Sequence, residues 1–188
     1  MEELVAARLL PFCGHSLGDV YGKKGSDYIK AKAVHFHHLT TESAGVLVLT
    51  DFRDSKVLCI VEALKIYMHD RLPHPPKNFL YCFSINELES WLLADKRNLA
   101  KFLRINASHI PENPDSEDFP KRTLVNLARK SNKPTINEGL APPPGHVSDV
   151  GPSYIPLMSD FISNNWDIEI ACCSSPSLSR CVQRLREL

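Results

Sequence analysis

The chain lacks a net charge: Lys plus Arg and Asp plus Glu each number 22. No global field therefore draws it toward nucleic acid or an anionic membrane, and any site for a polyanion has to be a local patch. It also lacks a long apolar run, and nothing approaches the roughly 20 residues that a membrane helix needs. The expectation is a protein with no membrane partner. The first residues, Met1-Glu2-Glu3-Leu4, are acidic where a secretory leader would be basic, which points to a cytoplasmic chain. Among the six cysteines no pair has CxxC spacing, and Cys59 and Cys82 sit in apolar surroundings. Reduced, buried thiols are the expectation. There is no repeat, and no low-complexity tract beyond Pro142-Pro143-Pro144. A full P-loop is missing too. Gly22-Lys23-Lys24-Gly25-Ser26 has lysines and backbone N–H groups that suit an anion, but not the spacing, and reads as a surface turn.

What is present is organised around residues 46–95. Val46-Leu47-Val48-Leu49-Thr50 is apolar on both faces and runs into Asp51-Phe52-Arg53-Asp54. Val57, Ile60, Val61, Leu64 and Met68 then follow a helical period. A second apolar run, residues 78–85, ends at Asn86-Glu87-Leu88-Glu89-Ser90-Trp91. Two doubly buried strands joined by a helix make a βαβ unit of a parallel sheet with a right-handed crossover. Asp51 and Glu87 then fall just past the carboxyl ends of neighbouring strands, the edge at which open α/β sheets bind ligands.

The length of 188 residues suits one domain. Its residues 1–105 read as a βα core and 106–188 as a mostly helical part. Residues 3–12 predict a helix with Leu4, Val5, Leu9 and Phe12 on one side, stopping near Gly14. Residues 33–39 alternate in places and predict a partly exposed strand or loop, in which His35 and His37 share a face without a third metal ligand. Residues 106–119 and 134–151 read as loops. Residues 120–130 and 176–188 read as helices that open on proline. Residues 154–163 read as a further helix, and 166–173 as a strand or a short helix.

Asp51, Asp54, Glu87 and Glu89 form the candidate metal constellation. Mg²⁺ takes a few carboxylates together with water and phosphate, and so suits phosphodiester chemistry. The same residues also fit a structural role: Asn86 and Glu89 match a capping box, and Glu87 stands where a helix N-terminus favours negative charge. Lys121, Arg122, Arg129 and Lys130, with Lys133 beyond, form a basic run that fits either nucleic-acid phosphates or a solvated helix face, as do Arg180, Arg184 and Arg186. Trp91, beside Leu88 and Leu92, reads as core.

VLVLTD (46–51), NELESWLLADK (86–96), IPENP (110–114), PKRTLVNLARKS (120–131), GPSY (151–154) and SSPSLSR (174–180) occur in this order. Together they resemble an uncharacterised Toprim-like domain-of-unknown-function family of bacteria, often encoded beside ATPases in phage-defence loci. The resemblance spans nearly the whole chain, and ELESWLLAD is its most specific part. It implies an α/β fold with a Toprim-like, mostly parallel sheet flanked by helices and a helical C-terminal portion. It further implies a nuclease-like protein acting on nucleic-acid phosphodiesters in bacterial defence. Catalytic roles would fall on Asp51, Glu87 and Glu89, Mg²⁺ on Asp51, Asp54 and Glu87, and phosphate contacts on Lys121, Arg129 and Arg180. Nucleic acid and an ATPase are the expected partners. The alternatives are a non-catalytic module that binds the ATPase, and a nucleotide sensor. Two departures from the Toprim pattern stand out. The chain starts inside what reads as the helix after the first strand, so that strand and its glutamate are expected to be missing. Arg53 also stands where the second aspartate of the DxD turn belongs, and a cation there opposes a metal.

Overall fold

The computed structural model describes residues 1–21, 25–52 and 76–188. The elements among them are α1 (Glu2–Phe12), α2 (Gly25–Glu42), β1 (Val46–Phe52), β2 (Phe79–Ile85), α3 (Glu89–Ala94) and α4 (Lys96–Leu103). Two 3₁₀ turns, Ala107–His109 and Pro114–Ser116, lead into α5 (Pro120–Ala128), α6 (Pro134–Leu140), α7 (Tyr154–Asn164), α8 (Ile168–Ser174) and α9 (Pro176–Arg186).

β1 and β2 pair in parallel, with Val46 opposite Phe79 and Phe52 opposite Ile85, as two apolar runs of this kind predict. Asp51 lies within β1 rather than past it. The crossover at residues 56–69, Arg53, Asp54 and the Lys23–Lys24 turn all lie outside the described residues.

The period-2 alternation of strands sorts the sheet's side chains into two cores. Val48, Phe52, Phe79, Tyr81 and Phe83 turn to one face and pack with Phe36, Tyr28 and Leu39 of α2. Leu80 and Cys82 turn to the other, where they join the main core with Val5 and Leu9 of α1 and buried residues of α3 to α9. Among the described residues the fold is thus mixed α/β, a two-stranded parallel sheet flanked by helices, with a helical part from α3 onward.

Three expectations change. Residues 33–39 belong to α2, so the strand face shared by His35 and His37 does not arise. The local alternation lasts only a few residues, and buried Phe36 and Thr40, with Leu39 partly buried, follow the i, i+3, i+4 spacing of a helix. Residues 134–140 are helical rather than loop, because Pro134 suits a first helical position and Ile136 and Leu140 share a buried face. Cys82 and Cys181 are joined as a disulfide, where reduced thiols were expected. Cys82 points from β2 at α9, and the two Cα atoms are 5.3 Å apart, a span a disulfide bridges. No described helix is long and apolar enough to cross a membrane.

Candidate functional site

At the carboxyl edge of the sheet, Asp51 and Ser84 are register partners whose side chains share a face. The Ser84 hydroxyl donates to Asp51 Oδ1 at 2.7 Å. The ladder continues one step further, as the Asn86 N–H donates to the Phe52 carbonyl at 2.8 Å. Asn86 then adopts φ 60°, a left-handed conformation that asparagine tolerates better than most residues. Its amide donates to the Glu117 carbonyl at 2.7 Å and pins this turn to the segment before α5. The helix that follows is capped at Leu88, so Asn86 is the pivot out of the strand and not the expected cap.

The turn sends Glu87 toward the start of α5. Proline at the first position of that helix has no N–H, and the next N–H, on Lys121, has no partner within the helix. Glu87 Oε2 accepts it at 2.7 Å, placing a carboxylate at the positive end of the helix dipole. The Lys121 ammonium then reaches back between two carboxylates. It lies 3.9 Å from Glu87 Oε1 and 3.5 Å from Glu89 Oε1. Glu89 is 2% exposed, and the Tyr154 hydroxyl donates to its Oε1 at 2.8 Å.

Burial pushes the Glu89 carboxyl above its usual range, while the Lys121 charge and the Tyr154 hydrogen bond work against that rise. The Tyr154 hydroxyl is pushed up by burial and by the neighbouring Glu89. Glu2, on the first turn of α1, belongs to the same electrostatic neighbourhood. Burial raises its carboxyl, but its own backbone N–H, the terminal ammonium and the Lys121 charge together leave it below the usual value.

Tyr154 is delivered by the turn around the GPSY motif. The Gly151 N–H donates to the Leu140 carbonyl, and the Ser153 N–H to the Gly139 carbonyl, both at 2.9 Å. A Cβ on Gly151 would meet backbone atoms of Leu140 and Ala141 at 2.7 and 2.8 Å. Glycine is therefore the residue that lets the two segments approach.

Of the expected site residues, the structure brings together Glu87, Glu89 and Lys121. It places the Lys121 ammonium beside the two carboxylates, with its side chain partly exposed. Asp51 stands at the same sheet edge as Glu87, and Asp54 lies outside the described residues. Arg129 caps the far end of α5, and Arg180 is exposed on α9. No group of three or more His, Cys, Asp or Glu side chains suited to a metal forms among the described residues. Glu87 and Glu89 do not fit a Mg²⁺ site. Mg²⁺ needs ionised oxygens in open octahedral positions, whereas here one oxygen holds a helix N–H and another a tyrosine hydroxyl, with an ammonium between them.

Sequence reasoning missed the wider pattern to which this corner belongs. Asp115 does for α9 what Glu87 does for α5: its Oδ2 accepts the Ser177 N–H at 2.8 Å, directly after Pro176. Its Oδ1 accepts the Ser175 and Ser177 hydroxyls, and Ser177 Oγ in turn accepts the Trp91 indole N–H at 2.7 Å. Asp95, fully buried, accepts from the Asn98 N–H at 3.2 Å and from the Asp167 N–H at 2.7 Å. The signal was present as proline at a first helical position, which leaves the next N–H in need of an acceptor. Which distant acid supplies it is a property of the fold.

No family model, no curated protein and no solved structure matches the chain.

Proposed function

We propose that this chain is a Toprim-like α/β module that works by binding a partner protein, its acidic corner serving as an internal brace. The observation that carries this reading is the Lys121 ammonium standing between Glu87 and Glu89 while Glu87 caps α5. Carboxylates held in this way stabilise the joint between sheet and helices and meet protein donors where a metal would need free oxygens. The family resemblance nominates an ATPase encoded beside the chain as the partner. The parallel pairing of β1 and β2 supports the Toprim-like reading of the fold.

A second reading is a Mg²⁺-dependent nuclease centred on Asp51 and Asp54. It is favoured by the position of Asp51, which shares the carboxyl edge of the sheet with Glu87. Calorimetry with Mg²⁺ and Mn²⁺ on the wild-type chain and on Asp51→Asn/Glu87→Gln separates the two, with a nuclease assay alongside. The module predicts no metal binding that depends on these residues, no cleavage, and co-elution with the ATPase when the two are produced together. Metal binding abolished by the double substitution, together with cleavage, would establish the nuclease instead.

A further inference from the structure

An open groove lies away from the acidic corner and shares no lining residue with it. It has a volume of about 740 Å³ and is formed by the last turn of α4, the link from α5 to α6, and α7. Its floor is apolar: Phe102, Ile105, Ile136 and Leu157 line it, and Phe102 packs on Phe161 with ring centroids 5.3 Å apart. Its rim carries Lys101, Arg104 and Lys133 against a single acid, Asp160. All three cations are exposed, and none has an ion-pair partner among the described residues. Asp160 accepts a hydrogen bond from the Asn164 amide at 2.7 Å. In a chain with no net charge, this is a local excess of positive charge around an apolar floor.

Arg104 adds a second observation. It caps α4 at φ 57° and ψ 46°, a left-handed conformation for which glycine or asparagine is the usual choice. A long side chain there costs roughly 1 kcal/mol relative to glycine. The chain accepts that strain and thereby keeps a guanidinium on the rim. Strain held at one position of a concave, charged surface is a feature of ligand sites.

We propose that this groove binds a nucleotide unit, its phosphate held by Lys101, Arg104 and Lys133 and its base lying on the floor beside Phe102 and Leu157. The volume falls within the range of small-ligand pockets, roughly 300–1,000 Å³. An apolar floor beside a cationic rim matches a ligand with one flat apolar part and one anionic part. A free nucleotide and a nucleotide of a single strand share that chemistry. The site is independent of the partner-binding reading.

The test uses the full chain, a fluorescent dT12 strand as one probe and ADP as the other. The informative variant is Lys101→Gln/Arg104→Asn/Lys133→Gln, in which asparagine suits the left-handed position. Its control, Lys32→Gln/Lys77→Gln/Arg97→Gln, removes the same charge outside the groove. The expected result is binding of dT12, lost by at least tenfold in the groove variant and by less than threefold in the control. The slope of log affinity against log salt should fall in magnitude by about 0.7, the loss of one single-strand phosphate contact. Asp160→Asn should tighten binding. ADP that binds and displaces the strand would identify the free nucleotide as a second source of the ligand. Failure of both probes to bind, or equal loss in variant and control, would overturn the proposal. If the cations served only the negative end of the α4 dipole, the groove variant would lose stability while its affinity and salt slope stayed unchanged. That outcome would equally overturn it.

Discussion

The acidic corner and the basic groove hold charges of opposite sign and in opposite circumstances. In the corner, Glu87 and Glu89 are 8% and 2% exposed, and their oxygens meet a helix N–H, a tyrosine hydroxyl and an ammonium. In the groove, Lys101, Arg104 and Lys133 are exposed around an apolar floor. Desolvation explains the difference. A carboxylate withdrawn from water is stable only when its hydrogen bonds are replaced, so a buried acid in a well-folded chain is already occupied. A cation that keeps its water carries no such requirement and remains available to a ligand. Glu87 and Glu89, which resemble catalytic groups by their type, are held by partners within the fold in this way.

The largest effect that sharpens this comparison belongs to Asp95, a buried acid of the same kind. Its carboxylate accepts from the Asn98 N–H, from the Asn98 amide at 3.0 Å, and from the Asp167 N–H across the fold. Asp95→Ala removes a helix cap and leaves the partly buried Asp167 N–H without this acceptor. The expected loss is about 3 kcal/mol, read as a shift in urea midpoint with an unchanged slope. A loss below about 1 kcal/mol would mean that water replaces the carboxylate, and that such acids are less committed than the geometry indicates.

The next contrast sets one lysine against another. Lys121→Met leaves two neighbouring carboxylates without their shared ammonium. We expect a loss of about 2 kcal/mol, below that of a fully buried pair because the Lys121 side chain is 37% exposed. Lys133→Met removes an exposed charge and should stay within about 0.5 kcal/mol. Equal effects at both positions would erase the distinction between corner and groove.

How much of this was legible in the sequence follows from the range of the interactions. β1 and β2 were legible because burial on both faces leaves an unbroken apolar run, a pattern local to each strand. The helices that open on Pro120 and Pro176 were legible because a fixed φ and a missing N–H act at one residue. Residues 33–39 misled because a few alternating positions resemble a strand while the stripe through Phe36, Leu39 and Thr40 extends beyond that window. The site was half legible. Asp51 and Glu87 could be placed at one sheet edge, since strand ends follow from strand order. That Lys121 would turn inward to Glu89, or that Asp115 would cap a helix 60 residues away, depends on how α3, α5 and α9 pack together. No spacing within the chain encodes that packing.

The smallest effect tests the corner by its proton. Glu89 has its folded pKa above the ordinary glutamate value, chiefly through burial. Between the unfolded and folded values the native protein holds a proton that the unfolded chain has released. Stability therefore falls as pH rises through that window, starting at the unfolded glutamate value, and levels off above the folded one. The Tyr154 hydroxyl opposes this rise by donating to the charged form. Tyr154→Phe removes that donor, so the Glu89 pKa climbs further and the window widens toward higher pH. The substitution should cost about 1 kcal/mol at pH values below that window, where Glu89 is neutral, and more above it, where the lost hydrogen bond is to a charge. Urea denaturation of wild type and variant across that range measures the difference. A penalty that stays the same at both ends would show that Glu89 keeps one protonation state throughout, and that Lys121 alone holds its charge.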